Sequence, residues 1–198
     1  MTLYKFRGLQ TEHDYNRVID IIENGFYCND ILGFNDMNEG VYTNNTQNQG
    51  VTLSEKQQYK ICSFSGVQAL KSELMWGHYA NTGRGIIIEV DIEDCRNIKQ
   101  VKYDSNENLN SIEDILTNKS KEWAYEDEYR YLSTDQLDNN KVKIGQIIKI
   151  HFGTPYEKLL NYQEIKEKHE NLKKYHQLRE NLKDFCTEKN IEYQDFEF

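Results

Sequence analysis

The stretch Lys119-Ser-Lys-Glu-Trp-Ala-Tyr-Glu-Asp-Glu-Tyr-Arg-Tyr-Leu132 decides how this chain is read, because aromatic and charged residues alternate through its second half. As an extended strand it lines Tyr125, Asp127, Tyr129 and Tyr131 on one face and Glu126, Glu128 and Arg130 on the other. That second face gathers two carboxylates and a guanidinium. As a helix, the same residues put Glu126 and Arg130 at i, i+4, an ordinary surface ion pair worth about 0.2–0.5 kcal/mol.

The segments around it alternate between strand and helix signals. Ser111 to Glu122 carries Ile112, Ile115 and Leu116 at helical spacing and delivers the chain to the stretch. After an Asp/Asn-rich loop at 134–140, Gly145 to Gly153 reads as a strand. Ile86-Ile87-Ile88-Glu89-Val90-Asp91 is β-branched and nearly all apolar, as a central strand should be. Lys60 to Ser65 is a compact strand, with Ser65 expected to cap a short helix to about Trp76. Leu3-Tyr4-Lys5-Phe6-Arg7 alternates and is closed by Gly8, with Arg7 at the strand exit. Thr11 then caps a helix on which Tyr15, Val18, Ile19 and Ile22 recur until Asn24-Gly25 stops it. Phe26 to Cys28 and Ile98 to Tyr103 are further strands. Gly33 to Gly40 is a turn-rich loop, and the polar run from Asn44 to Ser54 is expected to be a mobile surface segment.

Beyond Pro155 a polar helical tract runs to about residue 190, broken once, with Leu159, Leu160, Ile165, Leu172, Tyr175, Leu178 and Leu182 as its sparse apolar stripe. Ile191 to Phe198 is expected to return as a closing edge strand. The pattern is α+β: a single domain over 1–198 with a mixed or antiparallel sheet core and a C-terminal helical segment over 155–190.

Composition narrows the function classes. At 198 residues the chain can bury a sizeable core, and 14 Tyr and 8 Phe make that core aromatic. A net charge of −9 argues against a general polyanion binder, since such affinity comes from Lys and Arg neutralising phosphates. A localised basic groove remains compatible with it. Cys28, Cys62, Cys95 and Cys186 lie far apart with no C-x-x-C spacing, which disfavours a zinc knuckle or a redox pair and reads as scattered reduced thiols. The absence of a signal-like N-terminus or a long apolar window leads to the expectation of a cytoplasmic protein with no membrane partner.

The residues that can carry chemistry are Arg7, the Phe34-Asn35-Asp36 loop with Glu39, Ser63 and Ser65, His78 and Tyr79, and Glu126, Glu128 and Arg130. Each also has an ordinary role. A strand-end arginine forms surface ion pairs, serines cap or bond to backbone, and a histidine beside an aromatic is often structural. Their joint occurrence makes the case.

Taken in order, Tyr4-Lys5-Phe6-Arg7, Phe34-Asn35-Asp36, Cys62-Ser63-Phe64-Ser65, Met75-Trp76-x-His78-Tyr79-Ala80, Trp123-x-Tyr125-Glu126-x-Glu128-x-Arg130 and Ile147-x-x-Ile150-x-x-Gly153 resemble the ordered blocks of a widespread bacterial family of unknown function. Members of that family often have a histidine where this chain has Gly83 and a proline where it has Met37. A second resemblance, more distant, is to the ADP-ribosyltransferase fold, particularly its DNA-modifying toxins: an arginine ending the first strand, a central strand with Ser, and a late glutamate entered from a helix. It implies NAD as substrate, Arg7 on the phosphates, Tyr79 or Phe34 packed on nicotinamide, and Glu128 at the ribose with Glu126 nearby. Asn35, Asp36, Ser63, Ser65, His78 and Arg130 complete the expected binding set.

Three functions follow as expectations. The first is an NAD-consuming transferase or glycohydrolase, of toxin or anti-phage defence type, with a nucleic acid or protein acceptor. The second is a metal-dependent nuclease or phosphodiesterase using Asp36, Glu39, Glu89, Asp91 or the 126/128 pair. The third is a non-enzymatic module whose C-terminal helical segment docks a protein. No G-x-G-x-x-G or Walker loop supports a Rossmann or P-loop route to a nucleotide.

Overall fold

Apolar residues at alternate positions form strands and those three or four apart form helices. The computed structural model, which describes residues 1–33, 54–104 and 111–196, shows them meeting around one sheet. The described chain runs β1 (Thr2–Gly8), α1 (Glu12–Asn24), β2 (Phe26–Tyr27), β3 (Lys60–Ser65), α2 (Glu73–Tyr79), β4 (Gly85–Asp91), β5 (Ile98–Gln100), β6 (Lys102–Tyr103), α3 (Ile112–Leu116), β7 (Asn118–Lys119), β8 (Glu128–Ser133), β9 (Lys141–Val142), β10 (Gln146–Phe152), α4 (Tyr162–Lys168), α5 (Glu170–Glu188) and β11 (Glu192–Asp195). It is a single α+β domain. Among the described residues no helix is long and apolar enough to cross a membrane.

Seven strands form the main sheet in the order β11-β10-β4-β1-β3-β8-β5. All neighbours are antiparallel except the closing pair β10 and β11, so the sheet is mixed. Pairing is uneven. Strand β1 matches β4 from Thr2 opposite Asp91 to Gly8 opposite Gly85, and β3 matches β8 from Lys60 opposite Ser133 to Ser65 opposite Glu128. Between β1 and β3 the ladder holds at Tyr4 opposite Ser65 alone. The sheet is therefore two well-paired ribbons touching at one point.

Each face of the sheet buries its own apolar set. Leu3, Ile86, Ile88, Val90, Ile150 and Phe152 face helices α1 and α5, which contribute Val18, Ile21, Tyr175, Leu178 and Leu182. Tyr4, Phe6 and Ile87 pack on the other face against Met75, Trp76 and Phe196. Helix α1 starts at a Thr11–Asp14 capping box and stops at Gly25. There φ is +103° and a Cβ would come within 2.5 Å of the Val142 carbonyl oxygen, so only glycine fits. The apolar stripe of α5 is spent on this core, leaving Tyr156, Leu159 and Leu160 as exposed apolar residues of the C-terminal segment.

The stretch 119–132 is neither a continuous strand nor an α-helix. Lys121–Glu126 forms a 3-10 turn, Asp127 is left-handed with φ 44° and ψ 52°, and strand β8 begins at Glu128. Asp127 is tied down on both sides: its backbone carbonyl accepts from Gly66 N at 2.7 Å and its carboxylate from Gln68 N at 3.1 Å. These bonds to the distant 66–68 segment hold Asp127 out of the strand. Tyr125, Glu126 and Asp127 therefore do not share strand faces with Tyr129 and Arg130, and Glu126 reaches its neighbours from a turn.

Smaller expectations are also corrected. Ser65 is a strand residue, and the following helix is capped by Ser72, whose hydroxyl accepts from Met75 N at 3.3 Å. The helix from Ser111 ends at Leu116 because the chain turns at Thr117 into β7. The C-terminal tract is broken at His169, between α4 and α5, and the closing segment returns as the parallel edge strand β11. Phe34, Asn35, Asp36, Met37 and Glu39, like the polar run up to residue 53, lie outside the described residues.

Candidate functional site

The uneven ladder creates the site. Strand β3 meets β1 at Ser65, and four residues back Ile61 exchanges both backbone hydrogen bonds with Asn29, at 2.9 and 2.7 Å. Between these points no strand among the described residues completes the edge. The Lys5 ammonium donates to the Ser63 carbonyl instead. This window opens a cavity of about 230 Å³ that Arg7, Ser63, Ser65, Tyr79, Glu126 and Glu128 line together. Lys5, Arg17, Cys62, Lys119 and Trp123 complete its charged and reactive lining.

On the β8 side the charges are paired. Arg130, with no exposed surface, bonds Glu128 in a fork, Nε to Oε1 and Nη2 to Oε2, each at 2.9 Å. Its Nη1 donates to the Leu116 carbonyl at 2.5 Å. The Lys119 ammonium bridges the two glutamates, 2.7 Å from Glu126 and 3.3 Å from Glu128. The Tyr79 hydroxyl donates to the other Glu126 oxygen at 2.5 Å, and the Glu128 backbone N–H donates to the Tyr103 hydroxyl at 2.9 Å. Two cations thus balance two carboxylates, the condition under which buried charge is tolerated.

Proton affinities follow from burial and these contacts. Burial pushes the Glu128 carboxyl up, with Lys119 and the Ser63 hydroxyl opposing it. That hydroxyl faces Glu128, yet its oxygen is buried without a well-formed hydrogen bond. Burial works against the Lys119 charge, but Glu128 and Glu126 overcome it and hold the amine above its ordinary value. Burial, then the bond to Glu126, drives the Tyr79 phenol far up, so it remains a donor.

On the β1 side the charges have no ion-pair partner among the described residues. Among the described residues Arg7 has no ion-pair partner, and its buried Nε lacks an acceptor. Burial lowers the proton affinity of both Lys5 and Arg7, with Arg7 adding to the effect on Lys5 and Arg17 to that on Arg7. With the β8 charges balanced, Lys5 and Arg7 leave this cleft positive inside a protein of net charge −9. A buried guanidinium without a partner is costly, and an anion in the cleft would satisfy it.

Two expected binding residues stand elsewhere. Arg130 does not line the cavity; its guanidinium bonds Glu128 and the Leu116 carbonyl, so it positions the glutamate. His78 is exposed and also outside the lining, with its ring centroid 6.3 Å from those of Tyr79 and Tyr125. Lys5, Lys119 and Tyr103 were missed as site residues. Lys5 lies two residues before Arg7 in an alternating strand, which was signal enough to group them. Lys119 is seven residues from Glu126, and a turn that the sequence pattern did not announce brings it back.

No family model, no curated protein and no solved structure matches this chain.

Among the described residues no three His, Cys, Asp or Glu come together as metal ligands. Glu89 instead pairs with His151 at 2.6 Å, and neither Glu89 nor Asp91 lines the cavity.

Proposed function

We propose that the cleft binds a phosphate-bearing nucleotide, NAD by the ADP-ribosyltransferase resemblance, and that Glu128 promotes cleavage of the nicotinamide–ribose bond. The observation that carries this is the Arg7 guanidinium, whose buried Nε has no acceptor among the described residues, lining the same cavity as a buried glutamate. Arginine suits a diphosphate because its fork binds two oxygens and keeps its charge. As the bond to nicotinamide breaks, its electron pair leaves with the ring and positive charge grows on the sugar, which a fixed carboxylate stabilises. Glu128 Oε1 receives one bond from Arg130 and keeps an acceptor direction for a ribose hydroxyl. Water or an acceptor then attacks the sugar, giving hydrolysis or transfer.

The cavity falls somewhat below the ~300–1,000 Å³ of sites that bury a drug-sized ligand, which fits one nucleoside-phosphate half better than a whole dinucleotide. The acceptor class, nucleic acid or protein, and the setting, a cytoplasmic toxin or anti-phage defence effector, follow from the resemblance alone.

The test is nicotinamide release from NAD by the purified chain without added metal. Release that persists in EDTA supports the reading. Absence of both release and NAD binding removes it, and activity lost on chelation transfers the glutamates to the metal-dependent alternative.

A further inference from the structure

We propose that Cys28 and Cys62 form a peroxide-sensitive thiol pair in the wall of the cleft, closing to a disulfide on oxidation. Backbone register carries the idea. Because Asn29 and Ile61 exchange both backbone hydrogen bonds across antiparallel segments, the adjacent pair Cys28 and Cys62 occupies a position without hydrogen bonds. The Cys28 N–H confirms it by pointing the other way, to the Asn140 carbonyl at 2.7 Å. At such positions Cα atoms approach to about 4.5 Å with side chains on one face. Disulfides span Cα distances of about 4.4–6.8 Å, so the bond needs little backbone movement. Both thiols are free and both belong to the same core cluster.

The surroundings assign the roles. Cys62 lines the cavity, so a molecule as small as a hydroperoxide reaches it through the cleft, whereas Cys28 lies behind it. The neighbouring Cys28 thiol, whose proton lies toward the Phe26 carbonyl at 3.9 Å, together with Lys5 and Arg7 outweighs burial and lowers the Cys62 thiol to about 6. Cys28 is pushed strongly up by the same contact and by burial. Cys62 is therefore the attacking thiolate and Cys28 the resolving thiol.

The chemistry balances with hydrogen peroxide as the oxidant. The Cys62 thiolate attacks one peroxide oxygen, the O–O bond breaks, and hydroxide leaves to become water with a solvent proton. The Cys28 sulfur then attacks the sulfenic sulfur, the S–O bond breaks, and the departing hydroxide takes the Cys28 proton as a second water. The two sulfurs lose two electrons in total and the peroxide gains them.

The purified full chain, reduced and then treated with equimolar hydrogen peroxide at pH 7, is alkylated and mapped by peptide mass spectrometry. The expected result is a Cys28–Cys62 cross-link reversed by dithiothreitol, with Cys186, buried in the core and pushed up to about 11, left as a thiol. A Cys28→Ser variant should stop at a Cys62 sulfenic acid that dimedone traps. If Cys28 and Cys62 remain alkylatable at peroxide doses that oxidise the partly exposed Cys95, the proposal is overturned. The wild-type measurement stands whether or not the variant folds. A second readout is the pH midpoint of Cys62 alkylation: near 6 supports the assignment, and near the ordinary value of about 8.5 refutes it.

Discussion

Arg130 holds Glu128 from two residues along the same strand, both carboxylate oxygens gripped at 2.9 Å by a guanidinium with no exposed surface. This pair is the frame on which the cleft's acidic wall is built. Removing the cation alone strands a buried carboxylate beside Glu126. Arg130→Leu should therefore cost about 3–5 kcal/mol, read by urea denaturation. A loss under 1 kcal/mol would mean that Lys119 alone neutralises the glutamates and that Arg130 is dispensable.

Glu128 and Glu126 should separate by readout. Glu128→Gln keeps the shape but removes the anion, so nicotinamide release is expected to fall roughly 10²–10³-fold with little change in substrate binding. Glu126→Gln loosens the Tyr79 and Lys119 bonds and should lower the melting temperature more than the turnover. Full activity in the Glu128→Gln protein ends its catalytic assignment.

Most of the fold was legible because apolar spacing reports burial directly: β4, α1 and the closing β11 all follow from local pattern. The candidate cleft was legible in part. Arg7, Ser63, Ser65, Tyr79, Glu126 and Glu128 do line one cavity, yet strand alternation placed Glu126 wrongly. The deciding event is a long-range one, Asp127 bonding to Gly66 and Gln68, which no window around residue 127 contains. The Cys28–Cys62 pairing was hidden for the same reason: it depends on the register between segments far apart in sequence, and composition carries no trace of register. Lys119 was hidden instead by the local turn over 121–126.

Acid should weaken the fold through His176. Its ring is half-buried, its Nε2 meets the Tyr162 hydroxyl, and burial and then Arg179 lower its proton affinity. The unfolded chain, with an imidazole near its ordinary value of about 6.5, binds the proton more readily. The stabilisation is thus complete above that value and is lost as pH falls through the lower folded value. Melting temperatures at pH 7 and pH 5 should drop further in the wild type than in His176→Gln. Equal drops would place the acid sensitivity elsewhere.

Arg7 offers the cleanest division between ligand and fold. A guanidinium paired within the protein destabilises when removed, but Arg7 has no such partner among the described residues, so Arg7→Ala should leave the melting temperature unchanged or raise it slightly. A charged hydrogen bond to a ligand is worth about 1.5–3 kcal/mol, so the Kd for NAD should rise at least tenfold. For the assignment to hold, calorimetric titration must show the weaker binding while thermal melting shows no loss of stability. An unchanged Kd, or a melting temperature that collapses, would make Arg7 part of the scaffold and leave Lys5 as the cation facing the ligand.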